Sequence, residues 1–98
     1  MPYTTYILQS LKNGKYYIGH TNDMVDRLWR HNHGLVKSTK HFIPWKIVYT
    51  EIYKTKSEAY RRELEIKGYK GGILFKKLLG QYNKIMRPKK KTNQLLRY

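Results

Sequence analysis

NGKYYIGHTNDMVDRLWRH, residues 13–31, carries a turn, a strand and a helix in immediate succession. Asn13-Gly14 is a dipeptide that favours a two-residue type I′ turn, and β-branched and aromatic runs flank it at Tyr3 to Gln9 and Tyr16 to His20. That pattern predicts a hairpin. Its register would set Lys12 against Lys15, Ser10 against Tyr17 and Leu8 against Gly19. Tyr6, Leu8, Ser10, Tyr17 and Gly19 then share one face, and Thr5, Ile7, Tyr16 and Ile18 the other. A strand glycine often marks close approach by a ligand or another backbone, so Gly19 is expected to leave open space beside two phenols. Asn22-Asp23 opens a helix, with Asn22 as cap and Asp23 favourable to the dipole, running to about Asn32 before Gly34.

Outward from this stretch, residues 34–43 read as a basic loop, and Trp45 to Tyr53 as a third strand after Pro44. Thr55-Lys56-Ser57-Glu58 is a capping box that opens a second helix, to about Lys67. Gly71-Gly72 interrupts a further helical stretch through Leu79, and a basic end begins at Arg87. The order ββαβα plus a final helix predicts an α+β fold, a small three-stranded antiparallel or mixed sheet flanked by helices. A domain over residues 1–80 and a basic extension over 81–98 are expected.

Ninety-eight residues suffice for one core. The chain has no apolar run near the ~20 residues of a membrane span and no signal-peptide pattern, so a soluble cytoplasmic protein without a membrane partner is expected. Absence of cysteine removes disulfides, thiolate zinc sites and a cysteine nucleophile. A formal net charge of +15 with six acidic side chains points to a polyanion, and nucleic acid is the natural partner.

On the first helix Met24, Val25, Leu28 and Trp29 form a broad apolar arc, with Arg27 and His31 together at its edge and Asp23, Asp26 and Arg30 opposite. Arg27 and His31 can reach one anion. The second helix places Ala59, Tyr60, Leu64 and Ile66 on an arc whose middle holds Glu63, while Glu58 and Glu65 point away. An inward carboxylate must pair with a base or a metal or remain neutral, and Lys67 one turn on is a possible partner. Two phenols, Arg27, His31 and one inward carboxylate suit phosphodiester cleavage with one divalent cation on Glu63. His20, His31, His33 and His41 match no common zinc spacing.

These residues resemble the GIY-YIG endonuclease family, particularly its small single-domain, excinuclease-subunit-like members. Tyr17-Ile18-Gly19 is the intact second half-motif, and Thr4-Thr5-Tyr6 stands where the first would be, its tyrosine kept and its glycine replaced. Thr21-Asn22-Asp23, Arg27-Leu28 and His31-Asn32 look like the family's first helix. Pro44 to Tyr49, Lys56 to Ala59, Arg62-Glu63 and Ile66-Lys67 resemble its later segments, so the likeness spans about residues 3–79.

The resemblance implies a ββαβα(α) nuclease core that hydrolyses DNA with one divalent metal, Mg²⁺ or Mn²⁺. Glu63 would be the metal ligand and Arg27 the phosphate stabiliser. Tyr17 would contact or activate water, as general base or through metal-bound water, and Tyr6 would orient water or phosphate. His31 would position substrate or transfer a proton. Lys37, Lys40, His41 and Lys46 could follow the phosphate backbone, as could Lys76, Lys77 and the end from Arg87 to Arg97. With no second reading domain, target choice falls to this surface or to a targeting protein partner, and a structure-selective or weakly selective cut is expected, with DNA repair one setting for it. The alternative is a non-catalytic DNA- or RNA-binding module of the same fold.

Overall fold

The four consecutive residues Thr5 to Leu8 are all buried, which marks the strand that holds them as covered on both faces. This strand, β1 (Tyr3–Ser10), is the centre of an antiparallel sheet of order β2-β1-β3, with β2 at Tyr16–Thr21 and β3 at Trp45–Tyr53. The structure, a computed structural model, describes residues 1–86. Helix α1 (Met24–Asn32) packs on the Tyr6 face, where Tyr6, Leu8 and Trp45 gather Tyr17, Met24 and Leu28. Helices α2 (Lys56–Gly68) and α3 (Ile73–Met86) cover the opposite face, where Ile7 and Tyr49 meet Ile66, Phe75 and Leu78. The fold is therefore α+β with two cores separated by one sheet. Helix α3 runs past Leu79 to Met86, and the expected basic end from Arg87 to Arg97 lies outside the described residues.

The hairpin turns differently from the sequence expectation. A type I′ turn needs left-handed backbone at both Asn13 and Gly14, and of the two only Gly14 has it, at φ +79°. The loop instead spans four residues, Leu11 to Gly14. Gly14 N–H donates to the Ser10 carbonyl at 2.9 Å, and Ser10 N–H to that of Lys15 at 2.8 Å. Ser10 Oγ stabilises the turn by accepting from the amides of Lys12 at 3.0 Å and Asn13 at 3.2 Å. Gly19 consequently faces Tyr6, and Tyr17 faces Leu8. The register has slid by two residues, an even step, so the division of side chains between faces is the one expected.

Two helix boundaries follow from capping. Asp23, rather than Asn22, caps α1, accepting from the Asp26 amide at 3.0 Å, while Thr21 Oγ1 accepts from Asp23 N–H at 3.1 Å. The Thr55–Glu58 capping box forms as its residues require, with reciprocal bonds of 3.2 Å. Lys70 and Gly71, at φ 51° and 72°, make the left-handed corner between α2 and α3.

The α1 arc is rolled relative to a hydrophobic reading. Val25 and Trp29 are 83% and 53% exposed, whereas His31 is wholly buried and Met24, Arg27 and Leu28 are half-buried. Polar anchoring decides this. The Asn32 side chain accepts from Trp45 N–H at 2.6 Å and donates to its carbonyl at 3.0 Å, which fixes the end of α1 against β3. The loop after α1, which contains a short 3₁₀ turn at Lys40–Phe42, is held by Trp45 Nε1 donating to the Thr39 carbonyl at 3.0 Å.

Strand β3 contains a bulge: Ile7 pairs with Tyr49 and Leu8 with Ile47, so Val48 is extra. Val48 and Tyr49 both pack into the α2/α3 core, and Ile47 returns to the α1 core.

Gly19 does not open a space. A methyl there would lie 2.7 Å from the Tyr6 hydroxyl oxygen and 2.9 Å from its Cζ, because the Tyr6 ring occupies the place of the missing side chain. Gly19→Ala is expected to lose about 1–3 kcal/mol by overpacking. Chemical denaturation checks this, and in a double-mutant cycle Tyr6→Phe should relieve part of the loss by removing the nearest atom.

Candidate active site

The two tyrosines of the α1 face differ in what holds their hydroxyls. Tyr6 is 1% exposed, and its hydroxyl lies 3.0 Å from His31 Nε2. On its other side His31 Nδ1 is 2.8 Å from Thr39 Oγ1, and that hydroxyl donates to the Val36 carbonyl at 3.3 Å. With its proton so placed, Thr39 accepts from Nδ1–H, Nε2 is bare, and Tyr6 is the donor. Burial, and then the charge of Arg27, lower the His31 pKa to about 4, so the ring is neutral at physiological pH. Burial first, and then Tyr17, push the Tyr6 phenol upward, with Arg27 opposing and Glu63 adding to the rise. Tyr6 is thus a fixed neutral phenol. Tyr17 lies beside it, ring centres 6.3 Å apart, and is half-buried with its edge against His31. Its hydroxyl has no hydrogen-bond partner among the described residues and is not among the sealed unsatisfied atoms. It is the phenol a water molecule can reach.

Arg27 comes to the same region from α1. Its Nε is buried with no hydrogen-bond partner among the described residues. Such an orphaned guanidinium nitrogen is costly unless an anion completes it. The side chain lines a polar hollow of about 200 Å³ at the Tyr3 end of β1, together with Tyr3, His20, Thr21, Asn22 and Lys56.

Glu63 comes from the other side of the sheet. It is 7% exposed in the middle of the buried arc of α2, between Ala59 and Ile66, as its helical phase requires; Tyr60 and Leu64 are half exposed. Its oxygens have partners: Oε1 lies 2.6 Å from His20 Nδ1, and Oε2 2.6 Å from Lys67 Nζ. No bond links it directly to Arg27 or the tyrosines, but its charge reaches the Tyr6 phenol. The two halves of the site meet at β2, where alternation sends Tyr17 and Gly19 to one face and His20 to the other.

Among the described residues no group of three or more His, Asp and Glu side chains gathers to hold a metal. A single carboxylate suits a Mg²⁺-like ion, which keeps several waters and takes one or two protein carboxylates plus substrate phosphate. Glu63 fits that mode if the half-exposed Lys67 ammonium yields its oxygen. The histidines are dispersed: His20 on Glu63, His31 in the core, His33 stacked on Trp29 with ring centres 4.0 Å apart, His41 exposed in the 3₁₀ turn.

Several sequence expectations shift. His31 cannot touch substrate, being buried with both ring nitrogens engaged; it holds Tyr6. Lys37, Lys40, His41 and Lys46 are exposed, but they lie toward the other end of the sheet: Lys46 pairs with Gln9, and Ser10 Oγ donates to the Phe42 carbonyl at 2.7 Å. His20 and Lys56 were not singled out as site residues. Period-two alternation would have pointed His20 at α2, where the inward Glu63 needed a cation. Lys56 left no comparable signal.

The buried imidazole makes stability pH-dependent. An unfolded histidine titrates near 6.5 and His31 near 4, so the unfolded chain takes up the proton first as pH falls. His31 therefore contributes fully above about pH 6.5 and loses its contribution progressively toward pH 4, about 3 kcal/mol in all. Urea titrations across that window should show the decline, and His31→Gln should lack this part of the slope.

The chain matches the GIY-YIG catalytic domain over residues 2–73. It is similar to a UPF0213 protein of Staphylococcus saprophyticus, 44% identical over 59 residues that make up 59% of this chain and 72% of that one. It is also similar to a UPF0213 protein of Staphylococcus aureus strain Mu50, 47% identical over 58 residues, 58% of this chain and 71% of that one. The solution NMR structure of a UPF0213 protein from Bacillus halodurans, 33% identical, covers 83% of this chain and 84% of that chain with a TM-score of 0.48. A domain matched from β1 into the start of α3 establishes that this chain belongs to the GIY-YIG catalytic-domain family.

Proposed function

We propose that this protein is a divalent-metal-dependent DNA endonuclease that hydrolyses phosphodiester bonds with structure selectivity or weak sequence selectivity. GIY-YIG domains are usually nucleases that act on DNA and generally use a divalent metal, which supports the class. The observation that carries the reading is Arg27, whose buried Nε has no hydrogen-bond partner among the described residues and whose side chain lines a polar hollow. A phosphate oxygen is the acceptor it lacks, and a guanidinium offers phosphate a rigid fork of donors.

Arg27 receives the scissile phosphate and stabilises its developing negative charge. Tyr17, whose hydroxyl is open, contacts the attacking water. Tyr6, already donating to His31, sets the position of Tyr17 and of the phosphate beside it, and its proton stays in place through the reaction. Glu63 would hold Mg²⁺ or Mn²⁺, and the ion would polarise the phosphate and lower the pKa of a water. His20 and Lys67 hold that carboxylate in place until then. Lys37, Lys40, His41 and Lys46 would follow the duplex away from the cut, Lys76 and Lys77 adding positive charge from α3. Selectivity for branched DNA would suit DNA repair, with a partner protein supplying any further targeting.

A second reading has one observation in its favour. Both oxygens of Glu63 already have cationic or imidazole partners, which is also what a non-catalytic nucleic-acid-binding module would show. Incubation with supercoiled plasmid and branched oligonucleotides in Mg²⁺ or Mn²⁺ separates the two. Glu63→Gln and chelator should each abolish nicking while DNA binding persists, and Arg27→Ala should slow it by about 10²- to 10³-fold. Salt-sensitive binding without cleavage on every substrate would favour the module.

A further inference from the structure

All six carboxylates of the chain are engaged internally. Asp23 caps α1, Asp26 pairs with Arg30, and Glu58 closes the capping box. Glu63 takes His20 and Lys67. Arg62 takes both Glu51, through bonds of 2.9 and 3.0 Å, and Glu65. Glu51 also accepts from the hydroxyls of Tyr49 and Tyr53. Among the described residues most lysines and arginines are therefore left without a carboxylate, and two of these, Arg27 and Lys56, line the same polar hollow. Two unneutralised cations facing one cavity suit an anion from outside the protein.

A second hollow adjoins the first. Lys56 and His20 form walls of both, and the second, about 550 Å³ with a mostly apolar lining, is completed by Ser57 and Tyr60. Tyr60 is 48% exposed, and its ring lies 5.5 Å from that of His20. A polar, cationic compartment joined through a lysine to an apolar, aromatic one matches the two ends of a nucleotide, phosphate and base.

We infer that Lys56 and Tyr60 form a nucleotide subsite beside the reaction site, Lys56 binding a backbone phosphate across from Arg27 and Tyr60 stacking on the attached base. A base can lie on Tyr60 only if it is unpaired at that point, so the subsite takes a single-stranded DNA segment adjoining the cut. This rests on the nuclease reading for its orientation and supplies its selectivity, a preference for flaps and frayed junctions over continuous duplex. A stacking contact is typically worth one to two decades of affinity, and one phosphate contact about one unit of salt slope.

Fluorescence anisotropy in EDTA, with a flap-bearing duplex, the same duplex without the flap, and the flap duplex with a ribonucleotide flap, tests this without any cleavage. Tyr60→Ala should weaken flap binding about tenfold or more and leave blunt-duplex binding unchanged, with Tyr60→Trp restoring it. Lys56→Gln should reduce the slope of log Kd against log salt by about one. Both side chains are exposed, so the variants should keep wild-type circular dichroism. Equal affinity and slope for both variants and wild type would overturn the proposal, as would losses confined to the ribonucleotide flap. Because the readout is binding, such a result would leave Glu63-dependent cutting intact, and an absence of cutting would leave the binding result standing.

Discussion

The Tyr6 ring lying over Gly19 is the contact on which the rest of the site depends. It fills the space of a missing side chain on the neighbouring strand, and so ties β1 to β2 through packing as well as ladder hydrogen bonds. Its hydroxyl reaches His31 on α1, His31 reaches Thr39, and the Thr39 carbonyl accepts from Trp45 on β3. One buried chain of contacts thereby joins all three strands, the first helix and the loop that follows it. The bonds are mutually dependent, since Thr39 can accept from His31 only while its own proton goes to Val36. A buried network is stabilising when every member is satisfied. Among the described residues the buried side-chain atom left unsatisfied is outside this network, on Arg27.

Two adjacent phenols consequently have different chemistry. Tyr6 is locked as a donor by a neutral imidazole and raised by burial, which unsuits it for giving up a proton. Tyr17, one strand over, has a hydroxyl without a hydrogen-bond partner among the described residues. The difference arises from register: Tyr6 opposes a glycine and can lie flat toward α1, whereas Tyr17 opposes Leu8 and stands at the edge strand.

Much of this was legible in the sequence. The third strand, the Thr55 capping box and the inward phase of Glu63 follow from local propensity and helical period, and the structure has all three. The hairpin turn misled because Asn-Gly specifies a type I′ turn only when nothing competes, and Ser10 Oγ supplies two hydrogen bonds to a longer loop. The α1 wheel misled for a related reason. It weighs apolar surface, while Val25 and Trp29 were turned outward by polar bonds that anchor His31 and Asn32. The hollow shared by Arg27 and Lys56 was not legible, since it joins residues from two helices on opposite faces of the sheet. No sequence period connects them.

The four-residue hairpin loop sets a rule for how this protein can vary. Adding or removing two loop residues slides β2 along β1 and returns every side chain to its own face. Adding or removing one exchanges the faces: an added residue would put Tyr16 in place of Tyr17 and Ile18 in place of Gly19, and a removed one would put Ile18 in place of Tyr17 and His20 where Gly19 makes room for the Tyr6 ring. Length changes at this tip are therefore tolerated in pairs, and a single-residue insertion at an exposed loop far from the chemistry would act on the site as severely as a substitution within it.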